Sequence, residues 1–179
     1  MKVSPLAIFR AHFGTLKNLN EERISRLDLV VFFGVPIACG LASWYLCINL
    51  SEDVFSASIS VFAIFSALLF SVQVAMYGVF RSDRKATGDR ILDGDEKKLA
   101  EETRKLLREI NANVSYLILL SCMAVTIFLV FFSASISNRL EAAILIAVYT
   151  HFLLTVSMVL KRAHEVFDSE YAKPLQFKE

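Results

Sequence analysis

The chain has 179 residues, 55% of them hydrophobic and 21% charged, with 19 Lys and Arg against 18 Asp and Glu. A net charge near +1 points to no polyanionic partner, and the clustering of the charges excludes an ordinary soluble domain, which would scatter them along its length. Between the clusters, residues 29–51, 54–80, 110–138 and 142–160 form runs of 23, 27, 29 and 19 residues without Asp, Glu, Lys or Arg.

The leader, residues 1–27, comes first. Leu6, Phe9, Phe13 and Leu16 recur at helical spacing with Arg10 and Lys17 off the stripe. Such an amphipathic helix suits the headgroup boundary of a membrane, or equally an apolar seat on the protein's own charged hairpin. Because it carries acids as well as bases and precedes a run of full spanning length, the leader reads as retained rather than cleaved.

About 20 apolar residues at 1.5 Å each cross the roughly 30 Å hydrocarbon core. All four runs meet that length, and none alternates polar with apolar as a spanning strand would. A lipid-embedded backbone must satisfy its own hydrogen bonds, so helices are expected, spanning 28–51, 54–80, 110–138 and 140–162. The fold class is therefore all-α, an antiparallel four-helix membrane bundle.

In the first span, Gly34, Ala38 and Ala42 offer a close-packing edge and Pro36 predicts a kink. The second carries Ser56, Ser60, Ala63, Ala67, Ser71 and Gly78 on one side, together with the amide of Gln73, which is expected to pair across helices.

Residues 81–109 read as a helical hairpin. Turn chemistry at 86–94, including Asp93-Gly94, separates a continuation of the second span from a strongly helical arm starting at Asp95. In that arm Lys97–Glu101, Lys98–Glu102, Glu101–Lys105 and Lys105–Glu109 are i,i+4 pairs, and Leu99, Leu106 and Ile110 give an apolar stripe. One helix of about 40 residues is expected to run unbroken into the third span. Nine bases and eight acids make this hairpin too balanced for a nucleic-acid or lipid patch. Lys97, Lys98, Arg104 and Lys105 are instead the candidates for docking a partner protein, with a plain solvated face as the equal alternative for mixed charge on a long helix. The acidic stretch 89–96 lacks the alternating ligands of an EF-hand loop.

The third span carries Asn111, Ser115, Cys122, Thr126, Ser133 and Ser137 at spacings of 4, 7, 4, 7 and 4, a polar stripe along its whole length. It either hydrogen-bonds to neighbouring helices or, with several copies around an axis, lines a water-filled path. His151 lies mid-way along the fourth span, where an ionisable group is a functional candidate by default and a neutral ring donating to a neighbour is the plain alternative. Cys39, Cys47 and Cys122 are expected to be buried small hydrophobes. No membrane carboxylate pair, HExxH, phosphate loop or completed His pair for haem is present, so no enzyme, cofactor or metal is expected. The tail, residues 163–179, is charged.

Orientation follows from the bases. The leader, the hairpin and the chain after Leu160 hold five, nine and four Lys and Arg, while the two short turns hold only Arg139. The excess belongs on the inside, which places both termini and the hairpin in the cytoplasm and leaves no room for an external domain.

The charged leader, the 81–109 hairpin and the exit Val-Leu-Lys-Arg-Ala-His-Glu-Val-Phe at 159–167 together resemble the small four-span proteins of bacterial defence islands. The membrane subunit of the two-component Kiwa anti-phage system is the family most similar in layout. That resemblance implies a homo-oligomeric sensor in the bacterial inner membrane that docks a cytoplasmic effector, with no direct contact to nucleic acid. Membrane effectors of retron and cyclic-nucleotide defence systems look similar too, and would imply a pore that depolarises the membrane.

Overall fold

A computed structural model describes residues 5–15, 29–80, 90–134 and 138–171. Those residues are helical apart from one connection: α1 (Pro5–Thr15), a π-helical turn (Val30–Gly34) continuing into α2 (Val35–Tyr45), α3 (Glu52–Phe80), α4 (Arg90–Ala134) and α5 (Asn138–Tyr171). Three stretches are long and apolar enough to cross a bilayer, Glu52–Gly78, Arg104–Ser133 and Arg139–Asp168. The far end of the leader, the first arm of the hairpin at 81–89, Ser137 and the tail beyond residue 171 lie outside the described residues.

The first apolar run departs from its expected length. Its helix covers Val30–Tyr45, about 24 Å at 1.5 Å per residue. Cys47 stops it by adopting a left-handed φ of 52°. The Ile48 N–H then bonds to the Ser43 carbonyl at 3.1 Å and the Cys47 N–H to the Trp44 carbonyl at 3.2 Å. This is a Schellman closure, normally built on glycine because a side chain in that conformation costs about 1–2 kcal/mol. The expected burial of the cysteines is corrected at the same time: Cys39 is half-buried, while Cys47 and Cys122 are exposed.

At the other end of the same helix, Pro36 accounts for the π turn. An α-helix would direct the N–H of residue 36 at the carbonyl of Phe32, but proline has no N–H and its ring crowds that oxygen. The chain widens by one residue just ahead, where the Val35 N–H bonds to the Val30 carbonyl.

α4 spans 45 residues without a break, about 67 Å. It begins at Arg90, so Asp93 and Gly94 are helical and the expected turn does not include them. One glycine costs a helix about 1 kcal/mol, too little to break one of this length. α5 likewise continues past the expected boundary at 162 to Tyr171. Its apolar positions Val159, Ala163 and Val166, spaced by four and three, pack against Leu106, Leu107 and Ile110 of α4 together with Met76 of α3. Among the described residues the charged end is therefore a stalk of α4 and α5, with the end of α3 packed at its base.

By close backbone approach the helices form a row, although α3 also reaches α5 through its side chains, Phe62 and Phe65 among them. α3 packs on α4, α4 on α5 and α5 on α2, while α2 and α3 make no close backbone approach among the described residues. Residues 46–51, six in all, reach up to about 20 Å when extended, enough to carry the chain across the row. Gly40 then lets α2 meet α5 closely, since a Cβ there would lie 2.9 Å from the Ala143 carbonyl oxygen and 3.1 Å from the Ala147 Cβ. α3 contributes Phe62, fully buried, whose ring sits 5.7, 4.8 and 5.2 Å from those of Phe128, Tyr149 and Phe152.

Candidate functional site

Polar side chains converge where α1, the π turn, α4 and α5 meet, at the stalk end of the row. His151 of α5 lies at the centre. A carbonyl only accepts, so the His151 Nδ1–H donates to the Phe32 oxygen at 2.8 Å, the same oxygen that Pro36 leaves without a helical donor. In the neutral ring Nε2 is then the acceptor, and the Tyr116 hydroxyl of α4 donates to it at 2.7 Å. The plain alternative for His151 is thus given concrete form: it serves a carbonyl that the sequence strands.

α1 covers this pair. The His12 ring stacks on Tyr116 with centroids 3.9 Å apart and planes within 4°. Its Nδ1 donates to Asn113 Oδ1 at 2.7 Å. The single Thr15 hydroxyl proton has two acceptors in reach, the His12 carbonyl at 2.7 Å and Asn113 Oδ1 at 2.9 Å. Phe13 stacks on Phe33 of the π turn at 5.5 Å, and Phe33 lies 5.0 Å from His151. At the C-terminal end of α1, Arg162 Nη2 of α5 donates to the Thr15 carbonyl at 2.7 Å. Its Nη1 faces Glu109 of α4 at 3.5 Å. One arginine thereby ties three helices, and a cation at the carbonyl end of α1 complements the helix dipole.

The inward face of α1 differs from the expected stripe. His12 and Thr15 are buried, Phe9 and Phe13 are half-buried, and Leu6 is 72% exposed. The helix turns its polar flank inward because Asn113 and Arg162 await it there. This seat is the end of the row itself rather than the hairpin. Burial pushes the His12 imidazole down to about 4, against a smaller upward pull from the bond to Asn113, with His151 and Arg162 adding to the fall. Among the described residues, the buried His12 Nε2 and Asn113 Nδ2 have no hydrogen-bond partner, and Arg162 Nη1 has only its ion pair with Glu109.

The remaining expected residues fall elsewhere. Gln73 Nε2 donates to Ser115 Oγ at 2.7 Å, joining α3 to α4, and Ser115 in turn donates to its own-helix carbonyl at Asn111 at 2.8 Å. Ser66 and Cys122 approach to 3.4 Å between the same two helices. Thr126 is exposed and donates to the Cys122 carbonyl, and Ser133 is exposed. The polar stripe of α4 is therefore spent on α3 along its lower half and uncovered along its upper half. Arg104 and Lys105 are exposed on the stalk, while Lys97 and Lys98 belong to α4 with side chains outside the described set. No protein-family model, curated protein or solved structure matches this chain.

His12, Thr15, Asn113, Tyr116 and Arg162 are not among the residues singled out from sequence. Asn113 sits two positions from Asn111, which was favoured by its heptad phase. The pair of asparagines opening a span was the available signal. Nothing local marks His12 as its partner 101 residues away.

Proposed function

We propose that this protein is a non-enzymatic anchor and sensor that crosses the bacterial inner membrane four times, with both termini inside, and presents the α4–α5 stalk to a cytoplasmic effector protein. The observation that carries this is the unbroken α4, which joins a charged arm to a membrane-length apolar stretch in one helix. A rigid helix shared by both compartments transmits a change at one end to the other. α5 braces it through Val166, and exposed Arg104, Lys105, Arg108, Lys161 and Phe167 decorate the stalk, a mixed charged and apolar surface suited to a protein partner. The fourth crossing is assigned to the 16-residue helix Val30–Tyr45 with its flanking residues, on the strength of the 18 bases that a four-span topology places on one side against Arg139 on the other. By its layout the protein belongs with homo-oligomeric membrane components of anti-phage defence.

The test is charge reversal at Lys97, Lys98, Arg104 and Lys105 in the full-length protein. Insertion and oligomer size should be unchanged, while protection against phage and co-purification of a cytoplasmic protein are lost. The same reversal at Arg10 and Lys17 should leave co-purification intact. Full protection with the partner retained would remove the docking role.

One observation favours a second reading, a membrane-depolarising pore: Thr126 and Ser133 face outward, free to line a path between copies. Purified protein in liposomes distinguishes the two. Ion flux from the protein alone supports the pore, and tight vesicles support the anchor.

A further inference from the structure

The cluster beneath α1 is built in a way that makes its seat conditional. We infer that α1 is a latch, held on α4 and α5 while His12 is neutral and released when that ring takes up a proton.

Among the described residues the polar ties of α1 are few, and beside them Phe9 packs on Tyr116 and Phe13 on Phe33, contacts that do not depend on the charge of His12. His12 and Thr15 share one acceptor, Asn113 Oδ1, Arg162 holds the Thr15 carbonyl, and the His12 ring lies flat on Tyr116. His12 and Asn113 are fully buried. The groups that face the ring are Tyr116 and Asn113 from α4, and His151 and Arg162 from α5, with Glu109 engaged by Arg162. Among the described residues no carboxylate acts on His12, and the permanent charge that does is the cation of Arg162.

A second proton would sit on Nε2, which is buried and meets no acceptor among the described residues. The imidazolium would thus be desolvated, unpaired at that nitrogen and close to Arg162, three penalties of one sign. Released into water, the same ring is solvated on all sides. Asn113 Nδ2, which has no hydrogen-bond partner among the described residues, shows that even the neutral latch leaves a donor unspent, so the seat is poised rather than deeply bound.

The direction follows from linkage. A histidine whose seated value is about 4 against 6.5 when free favours the seated state fully above about pH 6.5. It loses that preference as pH falls toward 4, by up to tenfold per unit and about 300-fold in total. The latch stands on contacts within one chain, so its failure would leave the proposed docking role untouched.

The test uses the full chain in lipid nanodiscs, with Cys39, Cys47 and Cys122 replaced by alanine and spin labels at Leu6→Cys on α1 and Lys161→Cys on α5. Electron–electron distances are measured from pH 7.5 to 4.5. One narrow distance should dominate at pH 7.5, and a broad, longer population should grow below about 6.5. Asn113→Asp, which places a carboxylate against the ring, should shift the release to lower pH. His12→Gln, which cannot titrate, should give a distribution independent of pH, whether seated or released. A control pair on α2 and α5 should not move. An unchanged wild-type distance down to pH 4.5, or a pH response that persists in His12→Gln, overturns the latch.

Discussion

His151→Leu isolates the role of Pro36. The substitution removes two bonds, to the Tyr116 hydroxyl and to the Phe32 carbonyl. Side-chain bonds inside membranes average about 0.6 kcal/mol and reach about 1.7, while a stranded buried acceptor adds about 1–3 kcal/mol. The carbonyl dominates, because the residue that would serve it in an ordinary helix is proline. We expect a loss of about 2 kcal/mol, most of it from Phe32. Pro36→Ala supplies the missing N–H, so in the His151→Leu background it should return about 1 kcal/mol more than it does in the wild type. The difference between backgrounds is the quantity to read, since Pro36→Ala also removes the crowding ring in both. The chain has a single tryptophan, Trp44, and it lies on α2, the element whose seating is at issue. Its fluorescence during SDS titration in mixed micelles therefore reports the right transition. Strict additivity of the two substitutions would refute the idea that His151 stands in for the absent N–H.

Cys47→Gly should stabilise by about 1 kcal/mol in the same titration, by relieving the left-handed conformation at the end of α2; a loss would mean that the thiol has a role of its own. Gly40→Ala should cost about 1–3 kcal/mol, because its Cβ meets the Ala143 backbone, and should lower the Trp44 transition midpoint. Ser43→Ala removes a buried hydroxyl that has no hydrogen-bond partner among the described residues, and should be neutral or stabilising by up to about 1 kcal/mol. Membrane-impermeant thiol labelling of single cysteines should reach Asp53→Cys from outside, and Lys17→Cys, Asp95→Cys and Lys178→Cys only after permeabilisation. An externally labelled Asp95→Cys would overturn the proposed topology.

Much of the helical content was legible because charge and apolarity segregate so sharply. The long runs within α3, α4 and α5 follow from the absence of charges, and the unbroken α4 from its i,i+4 pairs leading into an apolar stretch. The end of α2 was not legible, since a cysteine in the left-handed region gives none of the glycine or asparagine signal that marks such stops. Nor was the row: a short connection argues for neighbours in contact, and only the close approach at Gly40 explains why α2 prefers α5. The inward face of α1 was misjudged for a different reason. Apolar periodicity finds the face that avoids water, whereas here the buried face is the one with hydrogen-bond partners, His12 and Thr15. Gln73 could be assigned a cross-helix bond from its depth alone, but Ser115 as its partner depended on the facing of two helices.

A helix that is continuous from the stalk to the far side of the apolar region behaves as a lever with its fulcrum inside the row. In α4 the residues essentially without solvent contact run from Asn113 and Val114 through Leu117, Ser121, Ala124 and Phe128, with Leu117 near the stalk side of that stretch. Arg104 is thirteen residues before Leu117, about 20 Å along the axis, so a tilt of about 5° moves that part of the arm by roughly 2 Å. Distortions of the surrounding lipid too small to disturb any single contact would arrive at the stalk as displacements comparable to a hydrogen-bond length. Geometry supplies the gain, with no hinge and no melting of structure in between.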